Sequence, residues 1–164
     1  MSSKFILARP ALAAAALTAS MALLAPAQAQ TVVQFDGLVL QSCVLTVSTP
    51  GVLGVSTSSG TEIGSEQPSG VAAVMAVVAT AGAPTISFTA PTMSVKPGAY
   101  TGSPTVALKY SSLGGANQAY TSSSSQYTST KPLTDTITLN AKATDSSGFA
   151  AGSYRIQTTA TCQQ

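Results

Sequence analysis

Few residues in this 164-residue chain can do chemistry, and two of them are cysteines. Cys43 and Cys162 are the only thiols, and there is no histidine. Without an imidazole, Ser-His-Asp and Cys-His nucleophilic systems, histidine metal sites and the usual general base are excluded. Two thiols are too few ligands for zinc, and they lack the C-x-x-C spacing of a redox pair. No G-x-S-x-G, S-x-x-K, P-loop or G-x-G-x-x-G pattern occurs. Glu62 and Glu66 are four apart, and a paired-carboxylate glycosidase site can be imagined from them. They lie among Gly60, Gly64 and Pro68, with nothing to hold their geometry, so the expectation is a solvated loop. Asp36-Gly37 and Asp145 read as turn formers. Tyr100, Tyr110, Tyr120 and Tyr127 offer rings on which a sugar could stack. Only Tyr110 sits in a clear strand, where the core is its expected place, and the absence of Trp weakens the sugar reading. The expectation is therefore a protein that is not an enzyme, with no catalytic residue, no cofactor and no metal.

A structural disulfide between Cys43 and Cys162 is what remains, and that requires an oxidising compartment. The N-terminus supplies the route. Lys4 and Arg9 precede an almost unbroken small and apolar run over residues 11–25; Pro26 breaks it, and Ala27-Gln28-Ala29 is an A-x-A cleavage pattern. Residues 1–29 read as a secretory signal peptide and residues 30–164 as one exported domain, in the periplasm, at the cell surface or secreted. The n-region has no twin-Arg pair, no Cys sits at the cleavage site, and no hydrophobic tail closes the chain. A bridge from Cys43 to Cys162 would close a loop spanning most of the domain, worth up to ~5 kcal/mol.

Charge excludes further classes. The whole chain carries a formal net charge of +2, with only 7% charged residues. Removing Lys4 and Arg9 leaves Lys96, Lys109, Lys131, Lys142 and Arg155 against Asp36, Glu62, Glu66, Asp135 and Asp145, a neutral balance. No basic patch for nucleic acid or anionic lipid survives. Ser and Thr supply the polar surface instead. Low hydrophobicity with high net charge, the usual mark of disorder, is not met. The apolar run over residues 71–81 is too short to span a membrane and ends at Gly82 and Pro84.

The elements that would position these residues are strands. Short runs of Val, Ile, Thr and Tyr are divided by Gly, Pro and Ser, the pattern of an all-β sandwich or barrel. Over residues 136–143, Ile137, Leu139, Ala141 and Ala143 share one face and Thr136, Thr138, Asn140 and Lys142 the other, as in a half-buried strand. Near the C-terminus, Tyr154, Ile156, Thr158, Ala160 and Cys162 alternate with Arg155, Gln157, Thr159 and Thr161. The turn Asp145-Ser146-Ser147-Gly148 separates these two runs, which are expected to be antiparallel neighbours. A first strand is expected within residues 31–47, with Phe35, Val39, Cys43, Leu45 and Val47 on one face and a bend at Gly37. Residues 71–80 are apolar on both faces and predict a central strand covered on each side, with a helix as the alternative. Residues 85–90 and 105–111 place Ile86, Phe88, Val106, Leu108 and Tyr110 inward. Residues 56–70 and 121–131 read as loops, the latter with an exposed edge strand as the alternative. About seven strands are expected, with no internal repeat.

The segment Val33-Gln34-Phe35-Asp36-Gly37-Leu38-Val39-Leu40-Gln41-Ser42-Cys43-Val44-Leu45 resembles the opening of chaperone–usher pilins and related fimbrial subunits. Those begin with Phe-x-Gly-x-Val, a Cys a few residues on, and alternating apolar residues. Gly152-Ser153-Tyr154-Arg155-Ile156-Gln157-Thr158-Thr159-Ala160 is similar to their closing Gly-x-Tyr strand. The resemblance covers the ends of the domain and implies an immunoglobulin-like (pilin-like) antiparallel β-sandwich. The function it implies is structural or surface-associated, of adhesion type, with other subunits as partners through a sheet edge or loop. The alternative is a self-contained periplasmic or secreted binding module for a glycan or protein. Three features depart from the family. Its second Cys falls nearer the middle, the penultimate aromatic is replaced by Cys162-Gln163-Gln164, and only residues 30–32 separate the cleavage site from the expected first strand. That leaves no donor extension of the kind a polymerising pilin carries.

Overall fold

Alternation and β-branched content build every element of this chain that is described. The computed structural model describes residues 34–38 and 40–164; the signal-peptide expectation lies outside these residues. They contain no helix and twelve strands: β1 (Cys43–Thr49), β2 (Gly54–Val55), β3 (Glu62–Gly64), β4 (Ala73–Ala79), β5 (Thr85–Phe88), β6 (Thr92–Val95), β7 (Thr105–Ser112), β8 (Asn117–Thr121), β9 (Ser125–Thr128), β10 (Thr134–Thr144), β11 (Arg155–Gln157) and β12 (Ala160–Gln163). All pairings are antiparallel.

β10 is the spine of a seven-stranded sheet. One edge of it pairs β7, and the other pairs β4 and then β3. β1 extends this sheet beyond β4, β2 beyond β3, and β8 beyond β7. A three-stranded sheet runs β12-β5-β9, and β11 pairs β6 separately. Their buried faces share one core: Met75, Val77, Leu108, Tyr110, Ile137 and Leu139 from the large sheet pack with Ile86 and Phe88 of β5. The Phe88 and Tyr110 rings meet at 4.6 Å between centroids, which ties β5 to β7. An aromatic pair of this kind adds roughly 1 kcal/mol beyond its area burial.

The β10 phase is as expected, with Ile137 and Ala143 fully buried and Thr136 exposed. Ile86, Phe88, Leu108 and Tyr110 are likewise buried. Several expectations need correction. Among the described residues there are twelve short strands rather than about seven, because β2, β3, β6, β8 and β9 lie in segments with little apolar alternation and the C-terminal run is split in two. Residues 56–70 and 121–131 are not simply loops: they contain β3 and the edge strand β9. The C-terminal run keeps its phase but is split into β11 and β12. It pairs β6 and β5 rather than β10, so residues 145–154 cross between sheets. β4 is a strand and central, but only one face is covered. Met75, Val77 and Ala79 point inward, while Val78 on the outer face is 50% exposed.

The first strand is also corrected. Residues 34–38 and 40–42 belong to no strand, and β1 begins only at Cys43. Phe35, Leu38 and Leu40 are 92%, 84% and 70% exposed. Residues 40–42 are held by Thr80, whose Oγ1 donates to Leu40 O at 2.6 Å and whose N–H donates to Ser42 O at 3.0 Å. Residues 34–36 form part of a separate unit, in which Gln34 Nε2 donates to Asp36 Oδ1 at 2.8 Å.

Candidate functional site

The two cysteines come together. Cys43 in β1 and Cys162 in β12 form a disulfide with Cα atoms 5.9 Å apart. Each sits on the inward phase of an edge strand: β1 pairs only β4, and β12 pairs only β5. The bond therefore joins the free edges of two different sheets at one point. Beyond it the Ser42 N–H donates to Gln164 Oε1 at 3.0 Å.

Away from the disulfide these edges part, and an apolar seam opens between them. Nearer the bond is a hollow of about 530 Å³, walled by Leu45 and Val47 of β1 and by residues 156–160, over Met75, Phe88 and Leu139. Next to it lies a second hollow of about 430 Å³, walled by Val52 and Leu53 and by Tyr154, Arg155 and Ile156, over Leu108 and Ala141. The two share Ala73, Leu139, Ile156 and Thr158 and so form one seam. Its walls are poorly covered. Val47 is 62% exposed and Val52 47%, while Ile156 and Ala160 are half-buried. Along the seam β1 and β11 each present one unpaired edge of backbone N–H and C=O groups. Such edges take up further extended chain readily.

The carboxylates occupy a different place, the outer face of the large sheet; Glu62 lies in a strand rather than the expected loop, while Glu66 does lie in the turn that follows it. Glu62 lies in β3, and Lys142 Nζ approaches its Oε2 at 3.3 Å. Lys109 Nζ bonds Glu66 Oε1 at 2.5 Å, and Tyr120 Oη donates to Glu66 Oε2 at 2.7 Å. Both ammonium groups also lie over the Tyr120 ring, at 5.2 Å and 4.7 Å from its centroid. The geometry is thus fixed, but each carboxylate is matched by a lysine. The hydrogen bond from Lys109, then that from Tyr120, lowers the Glu66 pKa, whereas a general acid needs the opposite shift.

Asp135 is buried, with four donors on its carboxylate. Gly114 N and Thr136 N reach Oδ1 at 2.8 Å each, Ser129 Oγ reaches Oδ2 at 2.8 Å, and Tyr127 Oη reaches Oδ2 at 3.0 Å. Burial by itself would raise its pKa, but the bonds from Ser129, Tyr127 and Gly114 together hold it below the ordinary value. Gly114 is required at this spot, since a Cβ there would run into the Asp135 carboxylate and Ser129 Oγ. The network pins β9 and the β7–β8 turn to the start of β10. No residue pattern pointed to it, because its members lie on three elements.

Asp145 does form the expected turn, with Gly148 N–H donating to its carbonyl at 3.0 Å and Gly148 at φ 80°. Its carboxylate also accepts from Tyr100 Oη, which lowers its pKa. Burial, then the bond to Asp145, pushes Tyr100 up to about 12. Tyr100, Phe149 and Tyr154 form an aromatic cluster, with Tyr100 and Phe149 stacked at 5.4 Å. The four tyrosines share no common surface, although the Tyr110 and Tyr127 rings meet at 5.7 Å. Tyr110 and Tyr100 are buried, Tyr127 joins Asp135, and Tyr120 joins Glu66.

Among the described residues no group of three His, Cys, Asp or Glu could hold a metal ion, and no helix is long and apolar enough to cross a membrane. Among the described residues, the seam combines two unpaired strand edges with a line of half-covered apolar side chains. No family model, curated protein or solved structure matches this chain.

Proposed function

We propose that this is an exported, non-enzymatic, surface-associated structural subunit, pilin-like in fold and of adhesion type, whose seam accepts an extended strand from a second copy. The single observation that carries this reading is the seam itself. An immunoglobulin-like sandwich lacking one strand leaves such an opening: two unpaired edges flanking a line of half-covered apolar side chains. A strand placed there would bond both edges and set alternate side chains over Ala73, Leu139 and Met75. The occupant is the arm ahead of β1. With a leader removed after Ala29, residues 30–42 would lie ahead of β1, the first strand among the described residues, and supply that arm. Val33, Phe35, Gly37 and Val39 alternate along its sequence, and the Phe35 ring is exposed.

The test compares mature protein with a form lacking residues 31–41, by gel filtration and electron microscopy. Chains of subunits are expected from the first and monomers from the second. Monomers from both, in folded protein, would end the reading. A binding module for a glycan or protein is the second reading, favoured by an open hollow of about 870 Å³ rich in hydroxyls, including Ser56, Ser59, Thr61 and Ser103.

A further inference from the structure

We infer that the Cys43–Cys162 disulfide is the end wall of the seam, so that the slot takes only a free chain end. The inference rests on the strand-acceptor reading above. A strand lying between two others holds them about 9.6 Å apart, twice the ~4.8 Å strand spacing. The Cys43 and Cys162 Cα atoms are 5.9 Å apart, so no backbone can pass between β1 and β12 at that level. The Ser42–Gln164 bond closes the gap just beyond. On the open side the lining runs from Ala160 back to Tyr154. That stretch matches about seven residues of strand, or about 20 Å.

A dead-end slot dictates polarity. The arm of a second copy leads through Ser42 into its own β1, and that folded body must remain at the open end. Its N-terminus therefore points at the disulfide. Anything attached ahead of the arm would have to pass through the wall, while additions behind the arm leave by the open side. An uncleaved leader is such an addition, so leader removal makes the arm competent to insert. The disulfide then has a role beyond stability: it sets the length and direction of what the seam accepts.

Three peptides test this by fluorescence anisotropy on the oxidised form lacking residues 31–41, whose own arms cannot fill the seam. Each carries residues 31–41 and a dye at its C-terminal end; one is plain, one has a Gly-Ser tail at its N-terminus, and one has the same tail before the dye. The C-terminal tail should change Kd by less than about threefold and the N-terminal tail should weaken binding by roughly tenfold or more. In the double variant Cys43→Ser/Cys162→Ser the N-terminally tailed peptide should regain affinity; if that variant does not fold, the asymmetry in the oxidised protein decides alone. Equal binding of both tailed peptides would overturn the end wall and leave the strand acceptor standing. No binding of even the plain peptide would remove both.

Discussion

Breaking the Cys43–Cys162 bond is expected to cost close to the largest amount that one cross-link can. The bonded residues are separated by 119 positions. For a loop of that length the chain-entropy relation gives about 16 cal/mol/K, or about 5 kcal/mol at room temperature. This is an upper bound, because a denatured ensemble that keeps residual structure loses less on closure. A domain of this size has a total stability of roughly 6–20 kcal/mol, so the bond can account for a large share of it. At about 2.1 cal/mol/K of unfolding entropy per residue, 5 kcal/mol corresponds to a fall in Tm of about 18 °C. The assay is urea unfolding of the oxidised protein and of the same protein reduced and alkylated, with thermal melts alongside. A loss below about 1 kcal/mol, with reduction verified by mass, would refute the reasoning. It would mean that the free edges of β1 and β12 stay together without the bond, or that the unfolded chain is already compact.

Three other perturbations separate the core from the surface. Ile137→Asp places an unpaired charge in a site with no exposure and should cost upwards of about 3 kcal/mol in thermal melts, whereas Thr138→Asp on the outer face should cost under about 1 kcal/mol. Asp135→Asn keeps one acceptor oxygen but turns the other into an NH2 donor, so either the Ser129 and Tyr127 hydroxyls or the two backbone amides lose their acceptor, and it should cost about 2–3 kcal/mol at neutral pH. Because the folded pKa of Asp135 is lowered, its contribution is complete above the unfolded value of about 3.9 and is lost as pH falls through the folded value. Wild type should therefore weaken more steeply below about pH 4 than Asp135→Asn, and parallel acid unfolding curves would contradict this. Tyr110→Phe removes a buried hydroxyl that has no partner among the described residues, so chemical denaturation should find it neutral or up to about 1 kcal/mol more stable.

Much of the fold was legible because alternation survives in single strands. The phase of residues 136–143 and of 154–162, and the inward placement of both cysteines, follow from period-two patterning alone. What the pattern could not supply was pairing. β10 and the C-terminal run look like consecutive antiparallel partners, yet the chain crosses to the other sheet through the Asp145 turn. Residues 31–47 show one continuous odd-numbered apolar set, but among the described residues β1 starts at Cys43, since alternation alone does not say where pairing begins. Residues 121–131 hid β9 because Ser and Thr carry little hydrophobic contrast, although Tyr127 packs inward beside Tyr110 at 5.7 Å between rings. The seam left the least trace. It is made by two edges far apart in sequence, from backbone groups that every residue has, and its apolar walls read as ordinary core.

Hydrogen exchange read residue by residue tests the strand-acceptor claim most directly. The oxidised form lacking residues 31–41 is compared alone and saturated with the peptide of residues 31–41. Insertion should slow exchange of outward-facing edge amides in β1 and in residues 154–158, the two walls of the seam, and leave β8 and β9 unchanged. Protection spread evenly over the molecule would mean stabilisation without a site. Unchanged exchange along both walls at saturating peptide would contradict the account.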